Sequence, residues 1–203
     1  MGYPPRVCFD GALYHVTARG DNRESIFVDG EDYQRYLLLL RRNKERFRFK
    51  LHAYALMPNH VHLILEPAAE TTVSRIMQCV TIAYTRFFNR RHNRVGHVFQ
   101  GRFHSRLIDR DSYLLVASRY VHRNPVKAKL ARAPAEWPWS SYRAYLDRSQ
   151  DPLKLTDAAD VLCLVDPNHI EQQVASYREF VETRIVADET LAEAWLMLPP
   201  RYI

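Results

Sequence analysis

The first half of the chain contains three short segments whose composition predicts β-strands. Residues 13–18 are rich in aliphatic, aromatic and β-branched side chains and end at a Gly-Asp-Asn turn at 20–22. Residues 51–57 predict a second strand, and residues 60–65 predict a third. A Pro-Asn pair at 58–59 separates these two segments, so we expect the second strand to lead into the third through a tight turn.

Two segments with helical periodicity alternate with these strands. Residues 32–47 are Leu-rich, charged on one flank and free of Pro and Gly, which predicts a helix. From Thr72 onward apolar residues recur at helical spacing, and we expect this second helix to end near Asn89 or Arg91. Its apolar stripe, which we expect to face the core, consists of Val73, Ile76, Met77, Val80, Tyr84, Phe87 and Phe88.

A fourth strand and a third helix follow. A loop between two glycines leads to a strand that ends near residue 108. The next helix is expected to start at Asp109 or Asp111, because an acidic side chain suits the positive end of the helix dipole. It is expected to stop before Pro125, because the residue preceding a proline disfavours helical backbone.

The last quarter of the chain predicts further helices. The segment 134–141 contains two prolines and two tryptophans, which indicates a packed connection. Ile170, Val174, Tyr177, Val181 and Ile185 form one amphipathic stripe, and a shorter helix is expected near residues 191–198.

This order of elements predicts an α+β fold. A ferredoxin-like antiparallel sheet with packed helices is the simplest arrangement that fits it. We expect one main domain over residues 1–148 and a small, acidic, mainly helical extension over residues 149–203.

Charge is distributed unevenly along the 203 residues, whose net charge is +6. Residues 1–150 contain 25 Lys and Arg against 13 Asp and Glu, whereas residues 151–203 contain 4 against 10. Opposite charges attract, so we expect the acidic extension to pack against the basic part and to cover or regulate its binding surface.

One basic segment points to nucleic acid. Between Glu70 and Asp109 there is no acidic residue, and every cationic Lys or Arg is an arginine. Arginine matches phosphate oxygens and stacks on bases, although a solvated helix face explains part of the same pattern. The candidates for phosphate contacts are Arg86, Arg90, Arg91, Arg94, Arg102 and Arg106, and those for base stacking are Phe99 and Phe103.

Other features exclude several classes of protein. Cys8, Cys79 and Cys163 are an odd number at wide spacing, which fits neither a disulfide framework nor a metal knuckle, and we expect them to be reduced and buried. No window is apolar enough to span a bilayer, and the N-terminal residues lack the apolar stretch of a signal peptide. We expect a cytoplasmic protein with no membrane partner.

His60 and His62 form the first candidate site. Two residues apart on a strand, their imidazoles project from one face while Val61 and Leu63 project from the other. This geometry can chelate a metal, although a His-x-His pair alone is a weak signal. Outward imidazoles on such a strand are costly unless they meet water, a metal or a ligand.

Tyr120 and Asn124 form the second candidate site. Four residues apart on a helix, they share one face. A tyrosine becomes a useful nucleophile when a divalent metal polarises the electrophile, and two His with one amide would leave coordination positions open. The alternative is that Tyr113 and Tyr120 only pack their helix onto the sheet.

Four short blocks stand in order along the chain: MPNHVHLI at 57–64, VFQGRFHS at 98–105, RYVHRNPVKA at 119–128 and WPWSSY at 137–142. Together they closely resemble the single-tyrosine HUH transposases, and most of all the REP-associated tyrosine transposases of bacteria. The resemblance covers roughly residues 10–146.

The resemblance implies a ferredoxin-like HUH nuclease in which His60 and His62 bind Mg²⁺ or Mn²⁺ and Tyr120 is the nucleophile. Asn124 stands where the family has its third, amide-type ligand. The implied substrate is single-stranded DNA beside a hairpin, as in REP elements. Tyr120 would attack a phosphodiester, giving a 5′-phosphotyrosine and a free 3′-OH that later reverses the step. Relatives include monomers and homodimers.

Two other functions remain open from the sequence. A domesticated hairpin DNA- or RNA-binding protein would keep the fold and the basic surface without cleaving. A metal-dependent hydrolase would use water in place of Tyr120. His122 and Arg123 replace an acidic and an aliphatic residue common in relatives; for His122 we favour an exposed helix position over a role in proton transfer.

Overall fold

The computed structural model describes Phe9, residues 11–108 and residues 110–183. Within this part of the chain four antiparallel strands form one sheet in the order β2-β3-β1-β4. The strands are β1 (Leu13–Arg19), β2 (Lys50–Met57), β3 (His60–Glu66) and β4 (His104–Ile108). This is the ferredoxin-like strand order, and the α+β prediction is confirmed.

Six α-helices lie within the described residues. They are α1 (Gly30–Phe47), α2 (Val73–Arg91), α3 (Arg110–Lys127), α4 (Tyr142–Leu146), α5 (Ala159–Val165) and α6 (Gln173–Glu182). Helices α1 and α2 pack on one face of the sheet, and α3 to α6 pack on the other, so the molecule has three layers.

Strand alternation divides the buried residues between two cores. On β3, the fully buried Val61, Leu63 and Leu65 belong to the core under α1 and α2. Ile64 belongs to the second core, under α3 to α6, and His60 and His62 share its face by alternation. The predicted separation of histidines from aliphatic residues on this strand is therefore observed.

Capping side chains set the ends of α1 and α2. The Asp29 carboxylate accepts from the backbone N–H groups of Glu31 and Asp32, so α1 begins two residues earlier than predicted. Arg48 adopts a left-handed conformation, with φ of 53°, and ends the helix. The Thr72 hydroxyl accepts from Arg75 N–H at the start of α2, as the sequence indicates.

The prediction that α3 stops before Pro125 is wrong, because the helix continues to Lys127. Pro125 lacks only the one N–H that would bond to the carbonyl of the preceding turn. The next turn is held by Ala128 N–H donating to the Asn124 carbonyl and by Leu130 N–H donating to the Pro125 carbonyl. A proline in the last turn therefore costs the helix little.

The segment 134–141 closes one edge of the sheet. Leu56 N–H donates to the Trp139 carbonyl, and Ser141 N–H donates to the Tyr54 carbonyl. The Trp137 indole N–H also donates to the Leu56 carbonyl. The predicted packed connection thus covers the outer edge of β2, whereas β4 forms the opposite edge.

The described part of the acidic extension packs against α1 and β2 through ion pairs and against the second core through apolar contacts. The Lys44 ammonium pairs with Asp157, and the Lys50 ammonium lies 2.8 Å from the Asp160 carboxylate. Helix α5 was not predicted. The predicted helix over 170–185 is observed only as α6, because a 3₁₀ turn at Ile170–Gln172 precedes it and leaves Ile170 exposed to solvent.

The remaining expectations concern the C-terminal helices, the cysteines, membrane spans and the domain division. Ile185 and the helix near 191–198 lie outside the described residues, as does Cys8. Cys79 and Cys163 are free, but they are half-buried and exposed, which corrects the prediction that they are buried. No helix in the described part of the chain is long and apolar enough to cross a membrane. The division at residue 148 stays a prediction.

Candidate active site

His60 and His62 lie side by side on the α3 face of the sheet. Their ring centroids are 4.9 Å apart and their planes are nearly perpendicular. His60 Nδ1 donates to the Asn59 side-chain oxygen at 2.6 Å, and His62 Nδ1 shares a hydrogen bond of 3.0 Å with His15 Nε2. Both rings therefore have Nδ1 engaged by the protein, and Nε2 is the nitrogen left for a ligand.

His15 is a site residue that our sequence reasoning missed. It lies on β1 directly opposite Ile64, and it is buried. Its ring is parallel to the ring of His62, with centroids 5.2 Å apart. The missed signal is the strand period, because Tyr14 and Val16 alternate with His15 just as Val61 and Leu63 alternate with the histidines of β3.

Helix α3 places Tyr120 edge-on to this histidine cluster. The Tyr120 ring centroid lies 5.7 Å from that of His62 and 6.0 Å from that of His15. The Tyr120 side chain is half-buried. The Tyr120 ring contacts these imidazoles and also packs against the core under α3 to α6.

Asn124 lies one turn after Tyr120 and is buried. Its amide nitrogen donates to the Tyr120 backbone carbonyl at 2.8 Å. This bond orients the carboxamide and leaves the side-chain oxygen as an acceptor or ligand atom. The structure thus brings Tyr120 to the histidine pair and fixes Asn124 on the same helix.

The environment keeps the three histidines neutral. Burial lowers the pKa of His60 to about 4, and the Arg19 charge acts in the same direction. Burial and then the Arg106 charge lower the pKa of His15 to about 4. For His62, burial is again the main cause and holds the pKa well below its ordinary value. Neutral imidazoles retain a lone pair for a metal.

The phenol of Tyr120 is protonated in the resting protein. Burial raises the pKa of Tyr120, while a hydrogen bond with the Asn124 side chain and the Arg19 charge act in the opposite direction. Arg19 is directly opposite His60 in the β1–β3 register and is exposed. It is therefore a positive charge beside the site, and it was not among the predicted residues.

The predicted arginines fall into separate groups. Arg102 and Arg106 lie near β4, where Arg106 is opposite His15 in the strand register. Arg86 and Arg90 are exposed on α2, in the layer on the other side of the sheet from Tyr120. A single stretch of sequence therefore contributes cations to both faces.

Arg91 and Arg94 are engaged in ion pairs within the protein. The Arg91 guanidinium lies 2.7 Å from Asp29, 3.0 Å from Glu31 and 2.9 Å from the buried Asp32. Arg94 lies 2.7 Å from Glu24. A phosphate would have to compete with these carboxylates.

Phe99 and Phe103 are buried in the core under α1 and α2, with 8% and 9% of their surface exposed. In this conformation neither ring offers a face on which a base could stack. The sequence pattern did not show that these two rings are buried in the core.

The prediction that His122 is exposed is wrong, because it is fully buried. His122 Nδ1 is 2.8 Å from the Tyr177 hydroxyl, and Nε2 is 2.7 Å from the Ser141 hydroxyl. Burial lowers the pKa of His122 to about 3. This residue connects α3 to α6 and to the segment that covers β2, and it does not face Tyr120.

A second group of metal-binding side chains lies at the other end of the β2–β3 hairpin. One ligand atom from each of His52, Glu66 and Asp160 lies within 4.8 Å of the others. His52 Nε2 is 3.0 Å from Glu66 and Nδ1 is 3.9 Å from Asp160, so the ring lies between two carboxylates. The Lys50 ammonium already pairs with Asp160. This triad is distinct from the predicted histidine pair.

The sheet is ferredoxin-like, and its histidine pair faces the helix that carries Tyr120. This is the arrangement expected of a tyrosine transposase. The family model described as "Transposase IS200 like" matches residues 8–124, which is more than half of the chain. The chain therefore belongs to the IS200-like transposase family.

Two known proteins are similar to this chain. A protein of Haemophilus influenzae named "Putative REP-associated tyrosine transposase" is 25% identical over 143 residues, which cover 65% of this chain and 80% of that protein. A solved REP-associated tyrosine transposase bound to a REP hairpin superposes with a TM-score of 0.62 at 21% identity. The match covers 78% of this chain and 93% of that one, and it confirms the fold.

Proposed function

We propose that this protein cleaves and rejoins single-stranded DNA beside a hairpin, with Tyr120 as the nucleophile. The observation that carries the proposal is the position of the Tyr120 ring, edge-on to His62 at 5.7 Å, with His60 adjacent on the same strand. A phenol held beside two neutral imidazoles has the neighbours that metal-assisted phosphoryl transfer requires.

The residues present fit a divalent metal. His60 and His62 each have Nδ1 held by a protein atom and Nε2 remaining, which is the usual orientation of ligating histidines. The Asn124 side-chain oxygen completes a nitrogen- and oxygen-donor set suited to Mn²⁺ or Mg²⁺, with positions open for phosphate. A bound metal would polarise the scissile phosphate and offset the charge that develops on it.

Tyr120 would attack the phosphorus atom through its hydroxyl oxygen. The new bond joins the phenolic oxygen to phosphorus, and the bond to the 3′ oxygen of the preceding nucleotide breaks. The products are a 5′-phosphotyrosine and a free 3′-OH, which can reverse the step without an energy source. Because burial raises the pKa of Tyr120, the phenol must lose its proton during the attack, and the leaving 3′ oxygen takes up one proton to become the 3′-OH. The Arg19 charge favours that loss.

The proposed substrate is a DNA hairpin with a single-stranded flank. The name of the Haemophilus influenzae relative and the REP hairpin bound in the similar structure support this substrate class. For phosphate contacts we retain Arg86, Arg90, Arg102 and Arg106. Arg91 and Arg94 would first have to leave their ion pairs.

The test is formation of a covalent adduct. Purified protein, Tyr120→Phe and the matched control Tyr113→Phe are incubated with labelled hairpin oligonucleotides from the flanks of the gene, with Mn²⁺ or Mg²⁺. Tyr113 is an exposed tyrosine on the same helix. We expect a denaturation-resistant adduct with the wild type and the control, but none with Tyr120→Phe or with chelator.

Two outcomes would contradict this function. Tight hairpin binding without cleavage on any flank would favour a non-catalytic binding protein. Cleavage that persists in Tyr120→Phe and leaves no adduct would indicate a hydrolase that uses water.

A further inference from the structure

The layer opposite Tyr120 carries a groove with arginines on both walls. The groove lies between α1 and α2 and encloses about 410 Å³. Its walls include Arg42 and Arg46 from α1 and Arg75 and Arg86 from α2. Arg35 and Arg90 extend the two rows at helical spacing, and both are exposed.

These six arginines have no carboxylate partner among the described residues. Other cations of the same two helices do have one: Arg41 pairs with Glu45, and Arg91 pairs with three carboxylates. Arg35, beside the groove, lies over the Phe87 ring, and Arg46 lies over the Phe47 ring, so these two contact aromatic faces and not acids. Neither ring lines the groove. Helix α2 contains no acidic residue at all.

A row of like charges without counter-charges destabilises a folded protein by self-repulsion. Binding of a polyanion removes that repulsion, and it is favoured by the entropy of the counterions that the polyanion releases. Charge complementarity therefore favours a nucleic acid backbone as the occupant of this groove.

The floor of the groove favours a duplex over a single strand. Single-stranded DNA is held by stacking its bases on exposed aromatic rings. No lining residue of the groove is aromatic, and its exposed apolar side chain is the aliphatic Ile82. The lining consists of arginines, two amides, a cysteine and aliphatic side chains, which can hold phosphates but offer no ring on which a base could stack.

Strand β4 is the edge of the sheet over which we expect the flanking strand to reach Tyr120. The outer edge of β2 is covered by the segment 139–141. On the opposite side β4 pairs only with β1 within the described residues, and its first residue, His104, is exposed together with the nearby Arg102. Strand β4 follows α2 in the chain and lies on the route between the two faces.

We propose that the α1–α2 groove binds the phosphate backbone of the hairpin's duplex stem, while the single-stranded flank crosses the β4 edge to Tyr120. This inference rests on the proposed function for the identity of the DNA. It assigns the stem and the flank to opposite faces of the sheet.

The test compares hairpin affinity in two triple variants. The groove variant is Arg42→Gln, Arg75→Gln and Arg86→Gln. The control is Lys129→Gln, Arg132→Gln and Arg148→Gln, which removes the same charge from exposed positions outside the groove. Thermal melting confirms that both are folded. The probes are a synthetic hairpin with its flank and the flank alone.

We expect the groove variant to bind the hairpin at least tenfold more weakly at 0.1 M salt, with a salt slope shallower by about 2.7 from three lost phosphate contacts. Its affinity for the flank alone, and the affinity of the control for the hairpin, should change less than twofold. Two results would overturn the proposal. One is an equal loss of hairpin affinity in the two variants, and the other is a loss of affinity of the groove variant for the isolated flank oligonucleotide.

The failure of this inference can be distinguished from failure of the proposed function. If no adduct forms but only the groove variant loses hairpin affinity, the stem-binding site is supported and the proposed nuclease activity is contradicted. If a Tyr120 adduct forms and the groove variant binds the hairpin as tightly as the control variant does, the nuclease activity is supported and the stem-binding site is contradicted.

Discussion

At the scale of single residues, the proposed metal site depends on hydrogen bonds that orient its two histidines. His62 Nδ1 contacts His15 Nε2 at 3.0 Å, and His60 Nδ1 donates to Asn59. For His62 Nε2 to present a lone pair, its Nδ1 must carry the proton and donate it to His15. The tautomer needed for metal binding is therefore set by a residue that does not itself bind the metal.

His15→Phe should weaken Mn²⁺ binding by roughly 10- to 100-fold, because it removes the acceptor that orients His62. His15→Gln should recover most of the affinity, since its amide oxygen can accept the same hydrogen bond. Electron paramagnetic resonance of free Mn²⁺ measures the affinity without requiring cleavage. Equal affinity in the wild type and His15→Phe would remove His15 from the site.

The residue scale also shows what can be predicted from sequence and why some residues cannot. The period of two on β3 is sufficient to place His60 and His62 on one face, because alternation is a local property of a strand. The ion pairs of Arg91 and the burial of His122 depend on partners far away in sequence, Asp32 and Tyr177. A local pattern carries no information on such contacts, so it could not show that Arg91 is ion-paired or that His122 is buried.

At the scale of elements, α6 supports the helix that carries Tyr120. The Tyr177 hydroxyl of α6 donates to Ser118 at 2.9 Å and contacts His122 at 2.8 Å, both on α3. Arg119 and Arg123 of α3 donate to backbone carbonyls at the C-terminal end of α6. These contacts lie on the side of α3 away from the histidine pair, so the described part of the extension supports the helix that carries Tyr120.

Tyr177→Phe should lower the free energy of unfolding by about 1–3 kcal/mol, because it leaves His122 and Ser118 with unmet hydrogen-bonding groups in a buried setting. Urea titration followed by circular dichroism measures the change. Tyr113→Phe, at an exposed position of α3, should change stability by less than about 0.5 kcal/mol. Similar effects of the two substitutions would show that the buried contacts do not support α3.

The secondary-structure elements of the first half of the chain were predicted more completely than those of the second half. Strands β1 to β3 follow from strand composition and turns, α1 and α2 follow from helical patterning, and the sequence indicates β4 and α3 less directly. Helix α5 has only seven residues, too few to establish a helical period. The end of α3 was misplaced because a proline blocks a helix only where a backbone donor is needed, and in the last turn one lost bond is tolerated.

At the scale of the whole molecule, the sheet separates two basic surfaces. Arg19 and Arg106 flank the histidine cluster on the α3 face, and the α1–α2 groove carries its arginines on the other face. The strongly basic balance of residues 1–150 is therefore divided between the two sides of one sheet. That division could not be read from the sequence, because the face of the sheet on which each helix packs depends on the tertiary arrangement.

Buried neutral histidines should make the whole fold sensitive to acid. The native pKa is lowered to about 4 for His15 and His60 and to about 3 for His122, so the native state binds fewer protons than the unfolded state below pH 6.5. Stability is complete above that pH and should fall as pH decreases from about 6.5 toward 3. The loss is at most about 1.4 kcal/mol per pH unit for each histidine.

Urea midpoints measured with chelator between pH 7.5 and 4.5 test this acid sensitivity. His122→Gln should flatten the profile relative to the wild type, although it will also lower stability at pH 7. A wild-type midpoint that does not change over this range would contradict the neutral, buried state of these rings.

The identity of the covalently modified residue tests the central claim most directly. Wild-type protein is incubated with Mn²⁺ and a hairpin oligonucleotide labelled at either the 5′ or the 3′ end, and the adduct is digested and analysed by mass spectrometry. We predict that the adduct retains only the 3′ label and that the nucleotide is attached to Tyr120 through a 5′ phosphate. Attachment to another residue, or retention of the 5′ label, would contradict the account.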